Sequence, residues 1–144
     1  MITRRQFVLG AAALPLSDQL FAAQSFTAGK EYLVVTPSAP TSRDKIEVVL
    51  FFAYTCSHCL QFEPHFAKWA KTAPADVAIR ICPVAWQMNK TRQARQLWNA
   101  YQIDSTPMIG VGGIYATGPH LVGTREGTPA CIDYLIEQVR AQRK

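Results

Sequence analysis

The sequence predicts an α/β domain in which helices cover both faces of a central mixed sheet. Segments 46–53 and 77–82 are almost continuously apolar and rich in branched side chains, which is typical of strands buried on both faces. Amphipathic segments alternate with them and predict helices. A Gly-Gly pair at 112–113 predicts an antiparallel hairpin. Together these features indicate a layered fold with one parallel strand pair and one hairpin.

The first half of the chain contributes three strands and one helix. Residues 31–35 are predicted to form a short strand, 36–42 a turn-rich connector and 46–53 the first buried strand. A helix is expected over residues 56–72, followed by the second buried strand at 77–82. The inward positions of that helix are Phe62, Phe66, Trp69 and Ala70.

The second half adds two helices and the hairpin. A helix is expected over 89–101, and strands at 108–111 and 114–116 flank the Gly-Gly pair. Thr128 as N-cap and Pro129 at the first helical position predict the start of the last helix. The inward positions of the two helices are Ala94, Leu97, Trp98 and Tyr101, and Ile132, Leu135, Ile136 and Val139.

Length and composition indicate a single domain. The chain has 144 residues, is 49% hydrophobic, and has 8 Gly and 9 Pro, which excludes collagen, a disordered tail and a disulfide-dense miniprotein. The 15 Lys and Arg against 10 Asp and Glu give a modest net charge of +5. No nucleic-acid partner is therefore expected.

The N-terminal segment predicts export. Residues 1–23 combine a charged start with a short apolar run, as in a signal peptide, and Arg4 and Arg5 fit the twin-arginine pattern or an ordinary positive start. The cut is expected near residue 23, with an uncleaved anchor as the alternative, leaving one domain over 24–144. The periplasm is the expected compartment, and because it is oxidising, the four cysteines are first interpreted as redox groups.

The chemistry of the sequence is concentrated in Cys56-Ser57-His58-Cys59, a C-x-x-C pair after a buried strand and at the start of a helix. At a helix N-terminus, unpaired backbone N–H groups and the helix dipole favour the thiolate of Cys56. Cys59 lies one turn further along and faces the protein. The pair is therefore predicted to divide into an exposed nucleophile and a sheltered resolving thiol, with His58 adding positive charge beside Cys56.

Other interpretations of the cysteines stay open, although redox chemistry is favoured. A structural disulfide or half of a zinc site could use the same spacing. Zinc would need two more ligands, and Cys82 and Cys131 form no second C-x-x-C, so no metal is expected. Cys82 and Cys131 are expected to be two small buried side chains, or alternatively a second disulfide.

Two segments resemble periplasmic thiol:disulfide interchange proteins of the DsbA type. They are residues 49–64, with the run C-x-H-C-x-x-F-E, and Ser105-Thr106-Pro107-Met108. The resemblance covers essentially the whole chain after residue 23 and implies a thioredoxin-like fold with a central mixed sheet. It also implies a dithiol oxidase without a cofactor that passes its disulfide to reduced or unfolded exported proteins. A quinone-linked membrane oxidase would regenerate it.

The resemblance also implies roles for individual residues. Cys56 would be the attacking and donated thiol, Cys59 the resolving thiol, His58 the thiolate stabiliser and Glu63 a buried carboxylate near Cys59. Thr106 and Pro107 would form a cis-proline loop that packs against the disulfide. Ser57 stands where the family usually has proline.

The chain departs from the family in length. Only 48 positions (107 − 59) separate Cys59 from Pro107, so most or all of the usual helical insertion is absent. The rim around Cys56 is then expected to consist of residues 53–55, 106–107 and 118–120, and the protein is expected to be a monomer. A reductase or isomerase of the same fold, and a non-catalytic binding module, are the alternative functions.

Overall fold

A computed structural model describes residues 25–84 and 92–143. The signal peptide predicted over 1–23 and the first three residues of the helix predicted over 89–101 lie outside these ranges. The strands are β1 (Tyr32–Val34), β2 (Ile46–Phe52), β3 (Val77–Pro83), β4 (Met108–Val111) and β5 (Tyr115–Thr117). The helices are α1 (Ser57–Ala70), α2 (Arg92–Ala100), α3 (Pro119–Val122) and α4 (Thr128–Gln142).

The five strands form one mixed sheet in the order β1-β5-β4-β2-β3. β2 and β3 are parallel, whereas β4 runs antiparallel to both β2 and β5, and β1 is antiparallel to β5. Gly112 and Gly113 have φ of 60° and 80°, which confirms the predicted hairpin. The predicted thioredoxin-like arrangement of a central mixed sheet flanked by helices is therefore confirmed.

Alternate residues of the central strands point to opposite sides of the sheet, and each side has its own apolar cluster. Val48 and Leu50 face α1 and α4, where Phe62, Ile132 and Leu135 complete the cluster. The other cluster is formed by Val49, Phe51 and Met108 of the sheet with Leu97 and Tyr101. Covering both faces explains why β2 is nearly continuously apolar.

Three details differ from the sequence prediction. β3 is not buried on both faces as expected for 77–82: it is the edge strand of the sheet, and Ile79 and Ile81 are exposed. Gly127, not Thr128, is the N-cap of α4, and Thr128 is the first helical residue, its hydroxyl donating to the Thr124 carbonyl at 2.8 Å. The short helix α3 was not predicted, because one turn of four residues is too short to show helical periodicity. Within the described ranges, no helix has the length and apolar character needed to cross a membrane.

Candidate active site

The end of β2 and the start of α1 place Cys56. After the strand ends at Phe52, the Cys56 N–H donates to the Ala53 carbonyl at 3.1 Å, which closes a tight turn. Cys56 is the N-cap of α1, and its Sγ accepts the backbone N–H of Cys59 at 3.4 Å. The structure therefore confirms the prediction that this sulfur lies at a helix N-terminus.

The surroundings of Cys56 favour its thiolate. Partial burial alone would raise the pKa of this thiol. Hydrogen bonds from the Cys59 thiol, the Thr106 side chain and the backbone N–H groups of Cys59 and His58 outweigh burial, so the pKa lies below its ordinary value. A thiol with a lowered pKa is a larger fraction thiolate at neutral pH, and the thiolate is the reactive form.

Cys59 has the opposite character. Its side chain is buried on the inward face of α1, and this burial raises the pKa of its thiol. The two cysteines therefore differ in both access and acidity. Cys56 is the half-exposed, acidic thiol and Cys59 the sheltered one, as the sequence predicted.

The loop before β4 packs against the cysteine pair. The Thr106–Pro107 peptide bond is cis, as the resemblance implied. The Cys56 thiol donates to the Thr106 carbonyl at 3.4 Å, and Pro107 is buried. Thr106, which is 50 positions from Cys56 in the chain, thus contacts the Cys56 sulfur.

Gly118 belongs to the expected rim segment 118–120, but its close packing against the cis-proline loop was not predicted. A Cβ at this position would lie 2.8 Å from the Pro107 carbonyl oxygen, so only glycine lets the end of β5 approach the cis-proline loop this closely. The glycine after a hairpin strand was visible in the sequence. Its closeness to Pro107 depends on the pairing of β4 with β5.

His58 and Ser57 are exposed in the first turn of α1. His58 contacts Cys56 through its backbone N–H, which donates a hydrogen bond to the Cys56 sulfur. Among the described residues, no hydrogen bond joins the His58 imidazole to the Cys56 sulfur. The imidazole instead lines the cleft beside the thiol, where a positive charge would act through space.

The expectation that Glu63 is a buried carboxylate is wrong, because its side chain is exposed. The buried positions of α1 are Cys59, Phe62, Phe66 and Trp69. At about 100° per residue, Glu63 lies roughly 80° from the centre of that face. Its carboxylate therefore points to solvent and not beneath Cys59.

A cleft of about 480 Å³ opens beside the cysteine pair. The expected rim segments 106–107 and 119–120 line it, together with His58 and with residues 123–126, which the sequence analysis did not include. The expected rim segment 53–55 is not among the described residues that line this cleft: Ala53 is buried, and Tyr54 is 87% exposed and packs edge-on against Phe52.

The remaining two cysteines lie apart from the site and from each other. Cys131 belongs to the cluster between the sheet and α4, whereas Cys82 belongs to the cluster on the opposite face. Both are free and buried, which confirms the expectation of two buried thiols and does not support a second disulfide. In residues 25–84 and 92–143, no group of three or more His, Cys, Asp or Glu side chains is placed to hold a metal ion.

The variant His58→Ala is expected to be a weaker oxidant with a higher Cys56 pKa. The backbone N–H of residue 58 remains, so the change isolates the imidazole. Each unit of pKa corresponds to about 1.4 kcal/mol and about 30 mV for a two-electron couple. Titration of thiolate absorbance measures the pKa, with His65→Ala as the control because His65 contacts Glu126. An unchanged or lower Cys56 pKa in His58→Ala would contradict the role of the imidazole.

A thioredoxin-like sheet that presents an acidic and a sheltered cysteine at a helix N-terminus, beside a cis-proline loop, defines a thiol:disulfide oxidoreductase. Comparison with known proteins agrees. The Thioredoxin family model matches residues 38–128. The chain is 34% identical to the thiol:disulfide interchange protein DsbA of Azotobacter vinelandii, over 94% of this chain and 92% of that protein. It therefore belongs to the thioredoxin family and, within it, to the DsbA-type oxidoreductases.

Two further comparisons agree with this placement. DsbA of Bordetella parapertussis is 28% identical over 92% of this chain and 96% of that protein. A crystal structure of a Pseudomonas aeruginosa DsbA variant has the same fold, with a TM-score of 0.76 and 24% identity over 81% of this chain and 100% of that chain.

The chain lacks a large segment that its relatives contain. The alignment with the B. parapertussis protein runs over 200 positions, while 92% of 144 residues is about 132, so about 68 positions (200 − 132) have no counterpart here. β3 ends at Pro83 and α2 begins at Arg92, which leaves no room for a helical domain between them. The predicted reduction of the insertion agrees with both observations.

Proposed function

We propose that this oxidoreductase is a periplasmic oxidase that donates a Cys56–Cys59 disulfide to reduced exported proteins, after removal of a signal peptide at residues 1–23. The single observation that carries the proposal is the placement of Cys56 at the N-cap of α1 beside the cis-proline loop, with Cys59 buried one turn further along. This placement lowers the pKa of Cys56, and burial raises the pKa of Cys59. Stabilising the Cys56 thiolate stabilises the reduced protein, which makes the disulfide easier to give up.

The transfer consists of two exchange steps. A client thiolate attacks Cys56 Sγ of the disulfide, a client–Cys56 bond forms, and Cys59 leaves as the thiolate. A second client thiolate then attacks the client sulfur of this mixed disulfide, and Cys56 leaves. The client loses two electrons and two protons, which the cysteine pair takes up, so no cofactor is needed.

The pH dependence follows from the direction of the Cys56 shift. Its pKa is lower in the folded than in the unfolded protein, so the thiolate stabilises the reduced fold. This contribution is fully present above the unfolded pKa and is lost as the pH falls through the folded pKa. The protein should therefore be a stronger oxidant at neutral pH than in acid.

The backbone beside the site provides a place for an extended client. The Thr106 carbonyl lies 3.4 Å from Cys56 Sγ, so a client strand at this loop would bring its cysteine to the reacting sulfur. Such pairing recognises main chain more than sequence, which suits a range of unfolded clients. We propose that a monomer is sufficient for this reaction.

We expect stoichiometric oxidation of a reduced, unfolded test protein, but slow turnover with membranes that contain the quinone-linked oxidase. The missing insertion removes apolar surface that a dedicated partner could bury. The measurement is client thiol loss with membranes, with a small-molecule oxidant, and with neither. The matched control is a full-length DsbA on the same membranes.

Fast turnover with those membranes would show that the thioredoxin core alone recognises the partner. A reduction potential too low to oxidise the client would instead contradict the oxidase and favour a reductase. Absence of any thiol exchange would favour a binding module.

A further inference from the structure

The cleft beside Cys56 has two walls of different origin. The first turns of α1 contribute His58, and the segment that joins α3 to α4 contributes residues 123–126. The Ser105–Pro107 loop also lines the cleft, and its Thr106 carbonyl contacts the reacting sulfur. A client strand at this loop must therefore place the residues next to its cysteine in the cleft.

Two side-chain contacts hold the second wall against α1. The guanidinium of Arg125 donates to Gln61 Oε1, and Glu126 Oε1 lies 3.6 Å from His65 Nε2. Arg125 is half-buried by this arrangement, although it lies on a connecting segment. Its position along the cleft is therefore set by contacts to the same helix that carries the cysteines.

Basic side chains outnumber acidic side chains among the described residues that line the cleft. Arg125 carries a permanent positive charge, and His58 and His120, whose imidazole N–H groups can donate hydrogen bonds, line the same cleft. Among the described lining residues, Glu126 is the one carboxylate. The cleft thus presents the Arg125 guanidinium, which contacts the neutral Gln61, while this carboxylate is directed at His65.

We infer that Arg125 and His120 are specificity-determining residues that favour client segments with acidic side chains next to the reacting cysteine. This inference rests on the proposed exchange with polypeptide clients. A carboxylate in the cleft would lie near the guanidinium and the His120 imidazole, and a lysine in the same place would be repelled. One partly exposed ion pair changes a rate by only a few-fold, so a preference of about five-fold is expected.

The test uses three two-cysteine peptides that differ only in the residues flanking the first cysteine: glutamate, glutamine or lysine. The oxidised protein is mixed with each peptide at low salt, samples are quenched with acid, and peptide thiols are counted by mass spectrometry. Flanking charge also changes the peptide thiol itself. The result is therefore the glutamate-to-lysine rate ratio of each variant divided by that of the unmodified protein.

In the double variant Arg125→Gln, His120→Gln this normalised ratio is expected to fall to about one fifth, and high salt should reduce the glutamate-to-lysine ratio of the unmodified protein. Glu126→Gln should raise the ratio, because it removes the opposing charge. Lys45→Gln is the matched control: it loses one positive charge at the far end of β2 and should leave the ratio unchanged.

Two variants separate charge from loop position. Gln61→Ala removes the contact to α1 but keeps the guanidinium, and Arg125→Lys keeps the charge, so both should retain most of the preference. A normalised ratio that stays near one in the double variant would overturn the inference. If no peptide is oxidised, the proposed function fails instead, and the ratio is then measured for reduction of the matching peptide disulfides.

Discussion

Replacing Cys59 with serine is expected to stop turnover and to trap a covalent complex between Cys56 and its client. Attack by Cys59 normally frees the protein from an unproductive mixed disulfide. A serine hydroxyl is not deprotonated at neutral pH and cannot replace the thiolate in this step. Incubation with a client disulfide followed by non-reducing electrophoresis should show one new band, which a reductant removes.

Cys59 is the residue replaced in this experiment because the two thiols differ in how accessible they are to a client. Cys56 is half-exposed and Cys59 is buried, so a client reaches only the first. Cys56→Ser should therefore give neither turnover nor complex. Cys82→Ser is the matched control, because it removes a buried thiol outside the site and should keep full exchange. A client complex on Cys59 in the Cys56→Ser protein would contradict this assignment.

Gly110→Ala is expected to destabilise the fold by about 1 to 3 kcal/mol, the usual cost of overpacking a core. A methyl group at position 110 would lie 2.6 Å from Tyr101 Cζ. The ring cannot yield easily, because it is 1% exposed and packs edge-on against Phe51 at 5.4 Å. Its hydroxyl also accepts the Gly113 N–H at 3.0 Å. Urea denaturation of the reduced protein gives the free energy of unfolding.

Gly123→Ala is the control for this substitution. No atom lies within 4 Å of a Cβ there, but φ is +86°, so the change should cost about 1 kcal/mol through backbone strain alone. Adding Tyr101→Leu to Gly110→Ala should give less destabilisation than the sum of the single changes, since the smaller side chain leaves room for the methyl group. Full additivity would mean that the ring and the methyl group do not meet.

The sequence by itself was enough for the α/β class, the main strands and helices, and the place of the cysteine pair. These features depend on local patterns. Apolar runs predict doubly buried strands such as β2, and helical periodicity marks the inward face of α1. Because the C-x-x-C pair lies between such a strand and such a helix, the sequence was enough to predict that Cys56 stands at the N-terminus of α1.

The tertiary structure decided the features that depend on which distant segments meet. The exposure of Glu63 depends on how α1 is rotated against the sheet, and the separation of Cys82 from Cys131 depends on which face each cysteine joins. The cleft wall at 123–126 exists because Arg125 and Glu126 contact α1 across about sixty residues of chain. Local sequence patterns do not predict which distant residues make contact, because these contacts depend on how the whole sheet and its helices pack together.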